Sequence, residues 1–76
     1  MITVKLYGLL RIESGIKAKQ LEATSVKEVL EVLTECGIPK KDINSCVILV
    51  NGKAANKRSK LADGDTVVLM SPVAGG

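Results

Sequence analysis

With 76 residues and a net charge of +3, the chain has room for one small, mildly basic domain. Its apolar share of 46% and charged share of 25% are those of a globular protein and argue against a disordered chain. No apolar run approaches the ~20 residues of a membrane-spanning helix, and the lack of histidine removes the usual general base and the commonest metal ligand.

A domain this small buries only ~60% of its unfolded surface, so its core must be efficient. Tyr7 is the only aromatic residue, so that core is aliphatic. Met1 leads straight into Ile2-Thr3-Val4-Lys5-Leu6, without the anatomy of a signal peptide, and a cytoplasmic location is the expectation.

Residues 2–7 alternate: Ile2, Val4 and Leu6 face one way, Thr3, Lys5 and Tyr7 the other. This predicts a first strand. Gly8 and the Ser14-Gly15 pair bracket a long turn, and residues 16–23 read as a second strand with Ile16, Ala18 and Leu21 as apolar contacts. A hairpin is the economical link between the two. Ser25-Val26-Lys27-Glu28 then fits a capping box, and Val26, Val29, Leu30, Leu33 and Cys36 recur on one helical face. Gly37 is the expected residue just past that helix, and Pro39 prevents its continuation. Residues 40–45 read as a polar connection.

Residues 46–50 form a continuous apolar run that Asn51-Gly52 ends with a hairpin turn. Residues 53–57 supply a short returning edge strand, Asp63-Gly64 marks another turn, and residues 66–70 form the last strand. The order is β-β-α-β-(β)-β, an α+β arrangement whose single helix covers one face of the sheet. Yet the runs 47–50 and 67–70 are apolar on both faces, which places these strands centrally and leaves apolar side chains on the uncovered face. Such a patch marks a partner surface. The pattern allows either parity: Val67 and Leu69 exposed, or Val68 and Met70.

Cys36 and Cys46 do not form a C-x-x-C pair, so two free thiols are expected, Cys46 as a packing residue and Cys36 near a helix end. Lys57-Arg58-Ser59-Lys60 is the densest basic stretch. No aromatic platform is interleaved with it, which favours a solvated loop over a nucleic-acid site. The chain closes on Ser71-Pro72-Val73-Ala74-Gly75-Gly76. Pro72 cannot donate to a ladder, and Gly75-Gly76 makes a thin thread ending in a carboxylate. Two readings of that thread stand side by side: a frayed terminus, or a slim tail whose α-carboxylate is the working group.

The element order, with Val50-Asn51-Gly52, then Leu61-Ala62-Asp63-Gly64-Asp65, then an apolar strand ending in Pro72-Val73-Ala74-Gly75-Gly76, resembles the MoaD/ThiS family of sulfur carriers. The resemblance spans essentially the whole chain and is greatest over residues 46–76. The ending is most similar to MoaD, the small subunit of molybdopterin synthase, although Leu69 and Met70 stand where MoaD proteins often carry aromatic residues.

The resemblance implies a ubiquitin-like β-grasp: a mixed four- to five-stranded sheet with one main helix on one face, over residues 1–71, and a flexible tail, 72–76. It implies a carrier rather than an enzyme, with no bound cofactor and no metal site. A partner E1-like enzyme would spend ATP to adenylate Gly76, a sulfur donor protein would convert the adenylate to a thiocarboxylate, and the tail would enter a large molybdopterin synthase subunit of MoaE type. Gly76 would carry the sulfur and Gly75 would give reach. Val73 and Ala74 would line the mouth of the partner's channel, Pro72 would set the exit direction, and Leu69 or Met70 would belong to the docking patch. Within the family, a thiazole or tRNA-thiolation carrier and a protein modifier remain alternatives. A non-catalytic β-grasp binding module, docked through the residue 57–60 stretch, is the alternative of another class.

Overall fold

The computed structural model describes residues 1–71. In chain order the elements are β1 (Ile2–Tyr7), α1 (Leu9–Ser14), β2 (Ala18–Leu21), α2 (Val26–Glu35), α3 (Lys40–Ser45), β3 (Val47–Val50), β4 (Lys53–Ala54) and β5 (Thr66–Met70). They build one mixed five-stranded sheet in the order β2-β1-β5-β3-β4. The first and last strands run parallel at its centre, and every other pair is antiparallel.

Alternation in β1 and β5 sends Ile2, Val4, Leu6, Val67 and Leu69 to one face. There they join Val26, Val29, Leu30 and Leu33 of α2 in a single buried cluster. The buried residues of α1, α2 and α3 all join this one cluster, so the opposite face of the sheet is left open.

Helix α2 begins as its sequence predicts. Ser25 Oγ accepts from Glu28 N at 3.3 Å. Glu28 does reach back, but one residue further than a capping box requires: its carboxylate accepts from the backbone N–H and the hydroxyl of Thr24. Those bonds hold the Glu28 carboxyl below its ordinary range, the Thr24 hydroxyl contributing most. At the other end Ile38 N donates to Leu33 O and Gly37 N to Thr34 O, with Gly37 at φ 101°. This is a Schellman ending, closed by contact between the buried pair Leu33 and Ile38.

Two short helices stand where the sequence predicts loops. The long turn between β1 and β2 holds α1, and the polar connection holds α3. Six residues cannot sustain a helix alone. Each is held instead by one anchor, Leu10 in α1 and Ile43 in α3, both buried in the core cluster. Strand β2 is shorter than residues 16–23 predict. Leu21 is its only buried residue, Ile16 packs half-buried just before it, and Ala18 is exposed.

Asn51 and Gly52 both take positive φ, 51° and 83°, as the Asn-Gly turn requires. Asn51 also stitches this turn to β5: its Oδ1 accepts from Thr66 N at 3.0 Å, and its Nδ2 donates to Asp65 Oδ1 at 2.9 Å. Asp65 Oδ2 accepts from Ala62 N at 2.8 Å. The Ala62 backbone bond first, then the Asn51 amide, lowers the Asp65 carboxyl from its ordinary value. A carboxyl whose folded value is depressed contributes stability that is complete above the unfolded value of about 3.9 and is lost as pH falls through the folded value. Urea midpoints measured between pH 2 and 6 should therefore fall at the acid end, and Asp65→Asn should flatten part of that fall. An Asp65→Asn curve parallel to wild type would refute the coupling. Among the described residues no helix is long and apolar enough to cross a membrane.

Candidate functional site

The open face of the sheet is written by register. Tyr7, Met70 and Val47 lie side by side across β1, β5 and β3. In the next row Lys5, Val68, Leu49 and Ala54 follow each other, and Thr3 and Thr66 form a third. Tyr7 is 41% and Val47 46% exposed, and Val68, Leu49 and Met70 are half-buried by their neighbours alone. The result is an apolar band with one cation, Lys5, beside it. An exposed apolar band of this kind is the feature that commonly marks an interaction site.

The register decides the parity that the apolar runs leave open. Val67 and Leu69 are fully buried against the core, and Val68 and Met70 face outward. Leu69 is therefore removed from the docking patch: it pairs with Leu6 on one side and Ile48 on the other, all three on the helix-covered face. Met70 lies in the outer band, flanked by Tyr7 and Val47. Neither flanking residue is singled out as a docking residue by the sequence, because each gains its place only when three distant strands align. The one signal was the two-sided apolar character of β3 and β5.

Strand β5 ends beside the start of α1, and the junction is closely fitted. Ser71 Oγ accepts a hydrogen bond from Leu9 N at 2.6 Å, across 62 residues of chain. It thereby caps α1, whose first residue has no local side-chain acceptor. Gly8 makes this approach possible. Its backbone, at φ 68° and ψ −143°, occupies ground that side-chain-bearing residues avoid. A Cβ there would stand 2.5 Å from Ser71 Oγ. The last described residue is thus held to the β1–α1 corner, at the edge of the Tyr7–Met70–Val47 row. The expected tail residues, Pro72, Val73, Ala74, Gly75 and Gly76, lie outside the described residues.

Neither cysteine joins this site. Both are free thiols, Cys36 exposed and Cys46 half-buried against the core. Cys46 Sγ donates to Ile43 O at 2.9 Å, and burial pushes its thiol above the ordinary value, the reverse of activation. Among the described residues no group of three or more His, Cys, Asp or Glu side chains could hold a metal ion. What the described surface offers is an apolar band beside the end of β5.

Comparison with known proteins fits this arrangement. No curated protein matches the chain. A chain of the complex of subunits 1 and 2 of molybdopterin-converting factor from Helicobacter pylori 26695 superposes with a TM-score of 0.75 at 28% identity, covering 99% of this chain and 97% of that one. The solution structure of small archaeal modifier protein 1 from Methanosarcina acetivorans gives 0.79 at 29%, covering 99% and 95%. A chain of the BexX/CysO complex from Amycolatopsis orientalis gives 0.79 at 21%, covering all of both chains, which speaks to the fold alone. The model of the ThiS family matches residues 4–76. The chain belongs to the ThiS family, and with that to the ubiquitin-like β-grasp proteins that act as small non-catalytic sulfur carriers and modifiers.

Proposed function

We propose that this protein carries sulfur as a thiocarboxylate on Gly76 and delivers it in molybdopterin biosynthesis. The observation that carries the reading is the placement of the sequence Pro72-Val73-Ala74-Gly75-Gly76 directly after Ser71, where β5 ends beside the open apolar face. A partner that docks on Tyr7, Met70 and Val47 would have the tail delivered into its own active site. The slim Gly75-Gly76 end would fit a channel that a branched side chain would block.

The chemistry needs a partner at each step. A carboxylate is a poor electrophile. In the E1-like partner a Gly76 carboxylate oxygen attacks the α-phosphorus of ATP and pyrophosphate leaves. A sulfur donor, such as hydrosulfide, then attacks the acyl carbon of the resulting adenylate. The C–S bond forms as the C–O bond to AMP breaks. The thiocarboxylate so formed is a sulfur nucleophile, and the large synthase subunit presents it to the pterin precursor. This chain supplies the carrier atom, the reach and the docking face, and binds no cofactor of its own. The molybdopterin assignment is supported by the Pro-Val-Ala-Gly-Gly ending and by the likeness to a molybdopterin-converting factor complex. A second reading, conjugation of Gly76 to protein amines, draws on the similar likeness to an archaeal modifier protein.

The test is intact mass after incubation with an E1-like enzyme from the same organism, ATP and sulfide. A gain equal to exchange of one oxygen for sulfur, abolished by deleting Gly75 and Gly76, is expected. An unchanged mass with an E1 active on another carrier would overturn the carrier reading. Adding the large synthase subunit and pterin precursor should then return the original mass; persistence of the thiocarboxylate would exclude molybdopterin as the destination.

A further inference from the structure

The side of the molecule away from the open sheet face carries a different feature. Between α2 and α3 runs a groove of about 360 Å³. Leu30 and Ile43 lie at its base, both almost wholly buried in the core, and Lys27, Lys40 and Lys57 stand around it with Glu31 as the one acid. Three cations against one carboxylate leave the groove with an excess of two positive charges, while the whole chain carries +3.

Lys57 is placed by the fold. It belongs to the β4–β5 connection, which is bonded along the start of α2: Val26 N donates to Ser59 O, Leu61 N donates to Thr24 O, and Ser25 and Lys60 form a bridge. From there Lys57 Nζ reaches across to α3 and donates to Asn44 Oδ1 at 2.9 Å. The acceptor is a neutral amide. It holds the ammonium at the groove without cancelling its charge and takes up one of its three N–H donors. Among the described residues the only ion pairs are those of the Met1 amino group, with Glu22 and Asp63. None of the three groove lysines has a carboxylate of the described residues within pairing distance.

We propose that this groove docks an acidic segment of a partner protein, with two or three carboxylates set against Lys27, Lys40 and Lys57. Charge complementarity selects this occupant. A single-stranded nucleic acid would satisfy the charge, but it needs aromatic stacking platforms, and the one aromatic residue, Tyr7, lies on the opposite face of the sheet. The site is separate from the Tyr7–Met70–Val47 band, so a partner on each can be bound at once. It does not depend on the sulfur-carrier reading.

The test uses the full chain, labelled with nitrogen-15, and three synthetic probes. These are a Glu-Asp-Leu-Glu-Asp peptide, its Gln-Asn-Leu-Gln-Asn counterpart, and a pentauridine RNA. The acidic peptide should produce saturable amide shifts confined to α2, α3 and the residues around Lys57, weakening as salt is raised. Lys57→Gln and Lys27→Gln should each weaken it by about two- to fivefold, the value of an exposed ion pair. Met70→Asp should leave it unchanged. These surface changes leave the core intact, and unchanged shifts of Val67 and Leu33 verify that. Shifts that do not saturate, that spread over other faces, or that survive both lysine replacements would overturn the proposal. So would equal binding of the neutral peptide, or tighter binding of the RNA.

Discussion

Leu69→Ala is expected to lower the unfolding free energy by about 2–5 kcal/mol, while Met70→Asp, one residue on, costs far less. Leu69 is fully enclosed between Leu6 and Ile48 beneath the helical layer, so truncation removes apolar contact and leaves a cavity. At the usual ~0.05–0.15 kcal/mol per residue, a chain of this size has a total stability on the order of 4–11 kcal/mol. The loss is therefore a large share of the whole, and urea unfolding should show the midpoint drop sharply at constant slope. Met70 points the other way, half-buried by Tyr7 and Val47 with water above. An aspartate there is solvated in the free protein and is buried only when a partner arrives. Its cost should appear in association: about 2 kcal/mol, or roughly thirtyfold in affinity for the E1-like partner, is the scale of a residue central to an interface. Affinity is read by calorimetry, stability by urea titration. Should Leu69→Ala unfold like wild type, or Met70→Asp bind like wild type, the assignment of the two faces would fail.

The second large effect is expected at Gly8. Gly8→Ala forces a side chain into a backbone conformation that costs about 1–3 kcal/mol, and it drives the new Cβ against Ser71 Oγ, breaking the bond that Leu9 N donates. Together these predict a loss of about 2–4 kcal/mol. Ser71→Ala should cost only about 1 kcal/mol, since it removes the cap of α1 and nothing else. Because the atom that obstructs the new methyl group is the Ser71 hydroxyl, the double variant should cost less than the sum of the singles. A double-mutant cycle in urea reads this coupling directly. Additive losses would show that the junction between β5 and α1 does not act as a unit. The same junction fixes where the tail sequence departs, so Ser71→Ala should also raise the KM for adenylation more than it lowers kcat, if Gly76 is the group the E1-like partner uses.

How far the sequence reaches depends on the range of the forces involved. Helix α2 was legible in both position and ends because a hydroxyl at Ser25, an apolar stripe and Gly37 all act within a turn of the backbone they shape. The turn at Asn51-Gly52 was legible for the same reason. Helices α1 and α3 were not. Residues 9–14 and 40–45 have no periodicity of their own, and each becomes helical because one side chain, Leu10 or Ile43, finds a core built by distant strands. The candidate site divides in the same way. That β3 and β5 carry more apolar surface than one helix can cover is a matter of counting residues. Which of those residues meet water is a matter of register.

The sequence by itself therefore determined the strands, the main helix with its caps, the Asn-Gly turn, and the Gly-Gly ending that gives the sulfur-carrier proposal its chemistry. Only the tertiary structure decided that Leu69 is core and Met70 is surface, that Tyr7 and Val47 complete the outer band, that Ser71 closes on Leu9 through the gap left by Gly8, and that Lys57 is held over the groove between α2 and α3. The physical reason is one of separation along the chain. Caps and turns are satisfied by neighbours, whereas the parallel pairing of β1 with β5 joins the first strand to the last, and the faces of Leu69 and Met70 are assigned by that pairing and the β3 register beside it.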